Sequence, residues 1–374
     1  MRLADPEVAY YGMPRRVAGE RALIKQALVG VARGERFILG DRVSELEQSL
    51  RGRIGVRNAV AVSSGTSAVL LAMHALAVSP GQQVIVPAFG FHSSLTAVMR
   101  CRAHPTLVDV TSDGVIDPAR AAVAMTARTR AVVAVHMFAA TADMSALRAL
   151  TRPSGAHLLE NSAVAVGMRH AGRQAGTLGD LALFSFHPYK PLGGVSDGGA
   201  IVTDDDRLAR SVRELRNHGQ DGVTRFVHRR LGYNARMDEV GASVLLARLR
   251  SLDELLLRRA VLARRYDEAF ADLQPGVSLP GGEPSRAGCY AYVLRCTERD
   301  ALEEHLGAHG VESVVYYPYP LHLQPAFSSL GHRAGDFPCA ERLCSETLAL
   351  PLYPQLPDAE LEHVIGAVRS FYGR

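Results

Sequence analysis

Short apolar runs alternate with amphipathic segments from Asn58 onward. Continuous runs of Val, Leu and Ala between helical segments are typical of strands that helices cover on both faces of a sheet. We predict strands at Ala59–Val62, Gln83–Val86, Thr106–Val110, Ala131–Val135, His157–Glu160, Leu181–Phe186 and Ala200–Val202. We predict helices after Ser67 to about Val78 and at Ser93–Arg100, Pro118–Met125 and Met144–Leu150. The pattern therefore predicts an α/β protein with a doubly wound, mainly parallel sheet.

The segments on either side of this alternation predict further parts of the chain. Amphipathic helices are predicted at Glu20–Val31 and Val43–Ile54, a strand-like segment at Arg36–Gly40, and a long helical stretch at Asp238–Leu273. The Gly- and Pro-rich segment Gly276–Gly288 marks a domain boundary. We predict an amino-terminal arm and helix, a large α/β domain, and a linking helix with a smaller α+β carboxyl-terminal domain, at residues 1–40, 41–250 and 251–374. A chain of 374 residues that is 47% apolar is long enough for this division.

Charge and composition exclude several classes of protein. The net charge is only +4 and no long basic run occurs, which argues against nucleic-acid binding. No apolar stretch reaches the roughly 18 residues of a membrane span, and Met1–Pro6 shows no apolar signal segment. Five cysteines without C-x-x-C spacing suggest neither a disulfide framework nor a zinc site, and we expect no metal. We expect a soluble, cytoplasmic protein.

The scarcity of lysine points to one candidate catalytic residue. Of the 42 basic residues only Lys25 and Lys190 are lysines. An ε-amine can lose its proton and form a Schiff base with a carbonyl, which a guanidinium cannot do. Lys25 fits an ordinary charge on a helix face, whereas Lys190 follows a buried strand and precedes Gly193-Gly194. A leftover surface charge is the alternative interpretation of Lys190, but its position at a strand end favours chemistry.

Three other strand ends carry candidate ligands, and in open α/β sheets ligands bind at the carboxyl ends of the strands. The turn Ser64–Ser67 could hold a phosphate at a helix amino terminus, although Ser and Thr are also ordinary helix caps. Phe91 offers an aromatic ring, with a core phenylalanine as the alternative. Leu158–Ser162 places polar side chains at a further strand end. With Ser185 and Lys190, these features match the contacts that pyridoxal 5′-phosphate (PLP) requires.

The chain resembles a known family, the sugar aminotransferases of the DegT/StrS type, which are fold-type-I PLP enzymes. The resemblance covers nearly the whole chain. The motifs that carry it are Arg36–Gly40, Ser64–Thr66, Pro87–Phe91, Phe184–Lys190, Asp197–Ala200, Arg216–Gly219, Gly232–Glu239 and Tyr317–Pro325. Each motif is weak alone, but their number and order make the resemblance specific.

The resemblance implies roles for individual residues. Lys190 would carry the Schiff base, and Gly65, Thr66 and Ser185 would bind the cofactor phosphate. Phe91 would lie over the cofactor ring. Asn234 would reach the phosphate bound by a partner subunit, which makes a homodimer with shared active sites obligatory.

The resemblance also implies the reaction. Members of the family transfer an amino group from an amino acid such as glutamate to a keto-sugar or a related cyclic ketone. The leading hypothesis is therefore a PLP-dependent aminotransferase in natural-product or polysaccharide biosynthesis. Its expected acceptor is a keto-sugar, with a nucleotide-linked sugar favoured, or a related cyclic ketone.

Two residues depart from the family motif. Where the family has Glu-Asp-Ala-Ala-Gln/His, this chain has Glu160-Asn161-Ser162-Ala163-Val164. The family aspartate pairs with the ring nitrogen of the cofactor and keeps it protonated, whereas the neutral Asn161 can only form hydrogen bonds. Val164 cannot make the polar contact to the 3′-oxygen that Gln or His would make. The phosphate-binding residues are kept while the electronic tuning of the ring is altered.

These departures leave two alternatives open. One is a diverged enzyme on the same fold, with or without PLP, whose chemistry does not transfer an amino group. The other is an inactive binding or regulatory protein. The dehydratase branch of the family has His in place of the lysine, so Lys190 argues against that branch.

Overall fold

The predicted alternation of strands and helices is present in the computed structural model, which describes residues 7–34, 36–224, 226–282 and 286–374. The strands are β1 (Asn58–Val62), β2 (Gln83–Pro87), β3 (His104–Val108), β4 (Thr129–Val135), β5 (His157–Asn161), β6 (Arg169–His170), β7 (Arg173–Gln174), β8 (Leu181–Ser185), β9 (Gly199–Thr203), β10 (Val277–Ser278), β11 (Tyr292–Cys296) and β12 (Thr347–Leu350). The α-helices are α1 (Met13–Ala32), α2 (Asp41–Ile54), α3 (Gly65–Ala75), α4 (Ser93–Arg100), α5 (Pro118–Ala124), α6 (Met144–Ser154), α7 (Asp206–Arg216), α8 (Glu239–Arg250), α9 (Leu252–Phe270), α10 (Arg299–Ala308), α11 (Pro338–Glu346) and α12 (Asp358–Phe371). Short 3₁₀ turns lie at Ala271–Leu273, Leu321–Leu323 and Pro325–Leu330.

Seven strands form the central sheet in the order β1-β9-β8-β5-β4-β2-β3. Strand β9 runs antiparallel to both of its neighbours, β1 and β8, while the pairs from β8 to β3 are parallel. Six strands therefore run in one direction, and their carboxyl ends meet at one edge of the sheet. The prediction of a mainly parallel α/β sheet is confirmed, with β9 as the antiparallel strand.

The sheet is buried because its strands are apolar along their whole length. Val84, Ile85 and Val86 of β2 have no exposed surface, as expected for a strand covered by helices on both faces. The helices that cover it begin at capping side chains, since Asp117, Asp143 and Asp205 each accept a backbone N–H of the first turn of α5, α6 or α7.

Some predicted boundaries are wrong. The stretch predicted as one long helix, Asp238–Leu273, is two helices, α8 and α9, that meet at Ser251, followed by a 3₁₀ turn. Arg36–Gly40 is not a strand, because within it only Ile38 forms an isolated bridge, to Asp238. Strand β3 starts and ends two residues before the predicted Thr106–Val110.

Glu239 joins the segment before α2 to the start of α8. Its buried carboxylate accepts the backbone N–H groups of Gly40, Arg42 and Val43 at 2.8, 2.9 and 3.1 Å. These are donors that the first turn of α2 would otherwise leave without a partner. The Glu239 N–H in turn donates to the Phe37 carbonyl at 2.9 Å. The amino-terminal turns of α2 and α8 are therefore held together.

A second apolar core lies around the antiparallel sheet β10-β11-β12. It includes Tyr266 and Phe270 of α9 and Tyr292 of β11, all fully buried. The division into three parts stays a prediction, and its segments at 1–6 and 283–285 lie outside the described residues. Over the part of the chain that the structure describes, no helix is both long and apolar enough to cross a membrane.

Candidate active site

The turn between β1 and α3 lies directly against the end of β8. Ser64 caps α3, since its Oγ accepts the Ser67 N–H at 3.0 Å. A methyl group added to Gly65 would lie 2.7 Å from the Ser185 Cβ, so only glycine allows this approach. The N–H groups of Gly65 and Thr66 open the helix and have no partner within it. The structure thus brings three predicted phosphate ligands together at a helix amino terminus, which suits an anion.

Gly199, at the start of β9, makes room for the same turn. A Cβ on Gly199 would lie 2.7 Å from the carbonyl carbon of Ser64. Because β9 lies between β1 and β8, any side chain here would push the turn away from Ser185. The antiparallel strand therefore shapes the cradle formed by Gly65 and Ser185.

Asn161 ends β5, the strand next to β8, and is buried with 6% of its surface exposed. Its Oδ1 accepts the Ala163 N–H at 3.1 Å, and its Nδ2 donates to the Ser94 hydroxyl at 3.2 Å. The Ala163 N–H can only donate, so it fixes which end of the amide is oxygen. The nitrogen end therefore lies on the Ser94 side, and Asn161 offers a hydrogen-bond donor there.

Behind Asn161 lies a buried carboxylate, Glu160. It accepts hydrogen bonds from His136, Ser162 and the backbone N–H groups of Gly176, Leu178 and Gly179. Burial alone would raise the pKa of Glu160, but the hydrogen bond from His136 and those from the backbone lower it below its usual value. The His136 Nδ1 accepts the Ala142 N–H, so its proton lies on Nε2 and points to Glu160.

The two phenylalanines after β2 differ in their surroundings. Phe89 is completely buried, whereas 56% of Phe91 is exposed at the sheet edge. A core role is therefore wrong for Phe91, whose ring is available to a ligand. Val164 is buried with 9% of its surface exposed and presents no polar atom, as the sequence predicted.

Lys190 lies in the loop 187–194, which we call the lysine loop. The loop is closed by hydrogen bonds from the Lys190 N–H to the His187 carbonyl, at 2.9 Å, and from the Gly194 N–H to the Phe186 carbonyl, at 2.7 Å. The half-buried Lys190 places its Nζ 4.4 Å from the centre of the Tyr290 ring. Lys25, in contrast, is exposed on α1.

Asn234 is exposed beside the turn that follows β1. The next residue, Ala235, accepts the Ser63 N–H at 2.9 Å, and Asn234 itself bridges to Asn217. The segment around Asn234 thus lies close to the Gly65 cradle of its own chain. Its predicted contact with the phosphate of a partner stays a prediction.

The comparison with known proteins decides the family. A model described as the DegT/DnrJ/EryC1/StrS aminotransferase family matches residues 19–369. The chain belongs to this family. It is therefore an aminotransferase of the fold-type-I, PLP-dependent kind, and the resemblance stated from the motifs is confirmed.

Individual relatives are similar over nearly their whole length. The erythromycin biosynthesis sensory transduction protein EryC1 of Saccharopolyspora erythraea is 40% identical, covering 94% of this chain and 95% of EryC1. The dTDP-3-amino-3,4,6-trideoxy-alpha-D-glucose transaminase of Streptomyces venezuelae is 36% identical, covering 100% and 98%. The crystal structure of S. venezuelae DesV in complex with a ketimine intermediate superposes with a TM-score of 0.94, at 37% identity and 99% coverage of both chains.

Three residues of this aminotransferase contact predicted site residues without having been predicted as ligands themselves. Ser94 holds the Asn161 amide, Gly199 makes room for the phosphate turn, and Tyr290 lies under the Lys190 amine. Gly199 belongs to a motif that carried the resemblance. Ser94 and Tyr290 gave no local signal, because their partners lie 67 and 100 residues away along the chain.

Proposed function

We propose that this aminotransferase transfers an amino group from an amino acid such as glutamate to a nucleotide-linked keto-sugar or a related cyclic ketone in natural-product biosynthesis. The observation that carries the proposal is the close approach of Gly65 to Ser185 at the end of β8, the strand that leads into the lysine loop. The printed names of relatives support the substrate class, since they refer to erythromycin biosynthesis and to a dTDP-linked amino sugar.

The residues of this chain fit the cofactor. When bound, PLP supplies an electron-accepting ring. Gly65, Thr66 and Ser185 would hold its phosphate, and Phe91 would cover the ring face. Lys190 would bind the cofactor covalently and, once released from it, carry a proton between the donor carbon and the cofactor.

Asn161 changes how the ring nitrogen is held. A carboxylate at this position would accept a hydrogen bond from a protonated ring nitrogen, but the Asn161 amide offers its Nδ2–H on the Ser94 side. The ring nitrogen would then accept a hydrogen bond in its unprotonated form. A neutral ring withdraws electrons less strongly, so we expect a slower reaction than an aspartate would support.

The decisive experiment follows the visible absorbance of the cofactor-loaded protein. Addition of glutamate should shift the cofactor band, and addition of a dTDP-linked keto-sugar should restore it. Restoration only by an acyclic ketone would overturn the proposed acceptor. A cofactor band that glutamate leaves unchanged would favour the diverged enzyme, and a protein that takes up no cofactor would favour the binding protein.

We also propose a homodimer with shared sites, since Asn234 is exposed near the cradle and a highly exposed apolar residue, Leu231, precedes it. Mixing an inactive Lys190→Ala chain with an inactive Asn234→Ala chain tests this proposal. A shared site assembles one intact copy in the mixed dimer, so about half of its sites should be active. Failure to regain activity, although mixed dimers are detected by native mass spectrometry, would mean that Asn234 serves its own chain.

A further inference from the structure

Four tyrosines near the lysine loop contact one another, and we call Tyr11, Tyr189, Tyr290 and Tyr316 the tyrosine cluster. Tyr11 stacks on Tyr189 with ring centres 3.9 Å apart and planes at 12°, and its hydroxyl contacts that of Tyr316. Tyr316 in turn stacks on Tyr290 at 6.5 Å and 26°. The cluster closes at the lysine, since the Lys190 Nζ lies 4.4 Å from the centre of the Tyr290 ring.

The lysine and three members of this cluster line a cavity of about 40 Å³. Arg16 and Arg259 line it as well, and among the described residues of its wall there is no carboxylate. Arg16 donates to the Pro188 carbonyl at 2.9 Å, so its charge stays beside the lysine loop. The described residues of this wall therefore include no anionic side chain that could pair with the Lys190 amine, and Arg16 itself pairs with Glu20, which lies outside the wall.

The hydroxyl groups of the cluster do not supply the missing anion. Burial raises the pKa of Tyr11 to about 12. Burial also raises the pKa of Tyr316 far above its usual value, and the neighbouring tyrosines add to this effect. Both hydroxyls stay neutral at physiological pH. The ring face of Tyr290 is then the group in direct contact that attracts an ammonium ion.

Tyr290 is itself held firmly. Its backbone N–H donates to the Phe138 carbonyl at 2.9 Å, and its carbonyl accepts a hydrogen bond from the Arg259 Nη1 at 2.9 Å. Arg259 is buried and also donates to the Leu352 carbonyl at 2.8 Å. These hydrogen bonds hold the backbone of Tyr290, and the stacking on Tyr316 orients its ring.

We propose that Tyr290 is a positioning residue whose ring face holds the Lys190 amine whenever that amine is charged and not bonded to the cofactor. The inference rests on the proposed function, in which Lys190 would bind the cofactor and, once released from it, carry a proton. A fixed ring beside the amine keeps the released lysine within reach of the site.

The test uses the cofactor-free protein in a Lys25→Arg background, where Lys190 is the only lysine of the chain. A short pulse of acetic anhydride at neutral pH acetylates the neutral amine, and mass spectrometry of the Lys190 peptide gives the rate. Tyr290→Leu and Tyr290→Met both remove the ring, and Met fills more of its space. In both variants the Lys190 amine should be acetylated about five- to thirtyfold faster than in the parent, the range expected for a half-buried cation–π contact. Tyr290→Phe keeps the ring face and should stay within about twofold of the parent.

Two controls separate the contact from general loosening. Tyr353 lines the same cavity, so Tyr353→Leu opens the cavity without removing the ring under Lys190 and should leave the rate near that of the parent. The neighbouring Cys289, which is buried with 1% exposed, should stay unreactive to a thiol reagent in any variant that is compared. The proposal is wrong if the ring-less variants that pass this check react like the parent, or if Tyr290→Phe or Tyr353→Leu reacts as fast as they do. Because no cofactor is present, these outcomes do not depend on whether the protein transfers amino groups.

Discussion

Replacing Asn161 with aspartate would restore a charge that the family normally carries at the ring nitrogen. The change is nearly isosteric, and the structure already provides partners for both carboxylate oxygens. One would accept the Ala163 N–H in place of Oδ1, and the other would accept the Ser94 hydroxyl in place of Nδ2. The cofactor-loaded variant should therefore keep the geometry of the site while its ring nitrogen becomes protonated.

The size of the effect follows from the type of hydrogen bond. A neutral hydrogen bond contributes about 0.5–1.5 kcal/mol and one to a charged group about 1.5–3 kcal/mol. The charged pair should thus stabilise the transition state by about 1–1.5 kcal/mol more, which corresponds to a five- to twelvefold faster donor half-reaction. Val164 limits this increase in rate, because the 3′-oxygen of the cofactor would still have no polar partner.

Rapid mixing of the loaded variant with glutamate, with the absorbance change as readout, measures the half-reaction directly. A matched control is Gln48→Glu, which makes the same amide-to-carboxylate change at an exposed position on α2 and should leave the rate unaltered. The cofactor-free Asn161→Asp protein gives a second readout. Its buried charge has lost the ring as a partner, so it should unfold more easily than the parent by about 1–3 kcal/mol.

Two results would contradict this reasoning in different ways. If the Asn161→Asp variant matches the parent in cofactor spectrum and in rate, the residue at position 161 does not tune the ring. If the substitution slows the native reaction while creating weak amino transfer, the parent has moved to chemistry that does not need a strong electron acceptor.

Three further predictions concern the lysine, the cradle and the buried carboxylate. Borohydride reduction should fix the cofactor on Lys190 in the Lys25→Arg protein, and Lys190→Arg should lose the visible chromophore; a tag on any other residue would show that the lysine is misassigned. Gly65→Ala should weaken cofactor binding, measured by titration, by about 1–3 kcal/mol, because the added methyl group overpacks against the end of β8. The control Gly52→Ala, which has open space around its Cβ site on α2, should bind the cofactor like the parent. Equal affinities of the two variants would contradict the phosphate-binding role of the Gly65 turn. Because the pKa of Glu160 is lowered in the folded state, its contribution to stability is present above the unfolded pKa of about 4.3 and is lost as the pH falls through the folded pKa. In denaturant titrations, Glu160→Gln should therefore lose less stability than the parent on acidification below about pH 4.3. An equal loss in both proteins would refute the lowered pKa of Glu160.

The strands were predictable because a buried strand must be apolar along its whole length. The prediction for β2 ends one residue before the structure does, and that for β8 one residue after it. The direction of β9 was missed, although the connection from β8 carries the lysine loop and no helix, as an antiparallel neighbour allows. The break at Ser251 was missed because the residues on both sides favour helix, and tertiary packing decides where one helix ends and the next begins.

The candidate site also includes residues that the sequence could identify and residues that it could not. Lys190 could be singled out because the chain almost never uses lysine, and Gly65 because its turn follows a predicted strand. Tyr290 could not be found, since its role depends on how the segment before β11 folds back over the lysine loop. Ser94 could not be found either, because several hydroxyl groups lie near the start of α4. Only the folded structure shows that the Ser94 hydroxyl accepts the Asn161 amide.

The contact between Glu239 and the start of α2 bears on how two chains of this protein would associate. The exposed side chains of Phe37 and Ile38 belong to a segment that this carboxylate holds to the start of α8. A surface that is already ordered loses little conformational freedom when a second chain covers it. In the proposed homodimer, replacement of Glu239 should therefore leave the chemistry of each assembled site intact. Specific activity should nevertheless fall on dilution, because the two chains would separate at higher protein concentrations than before.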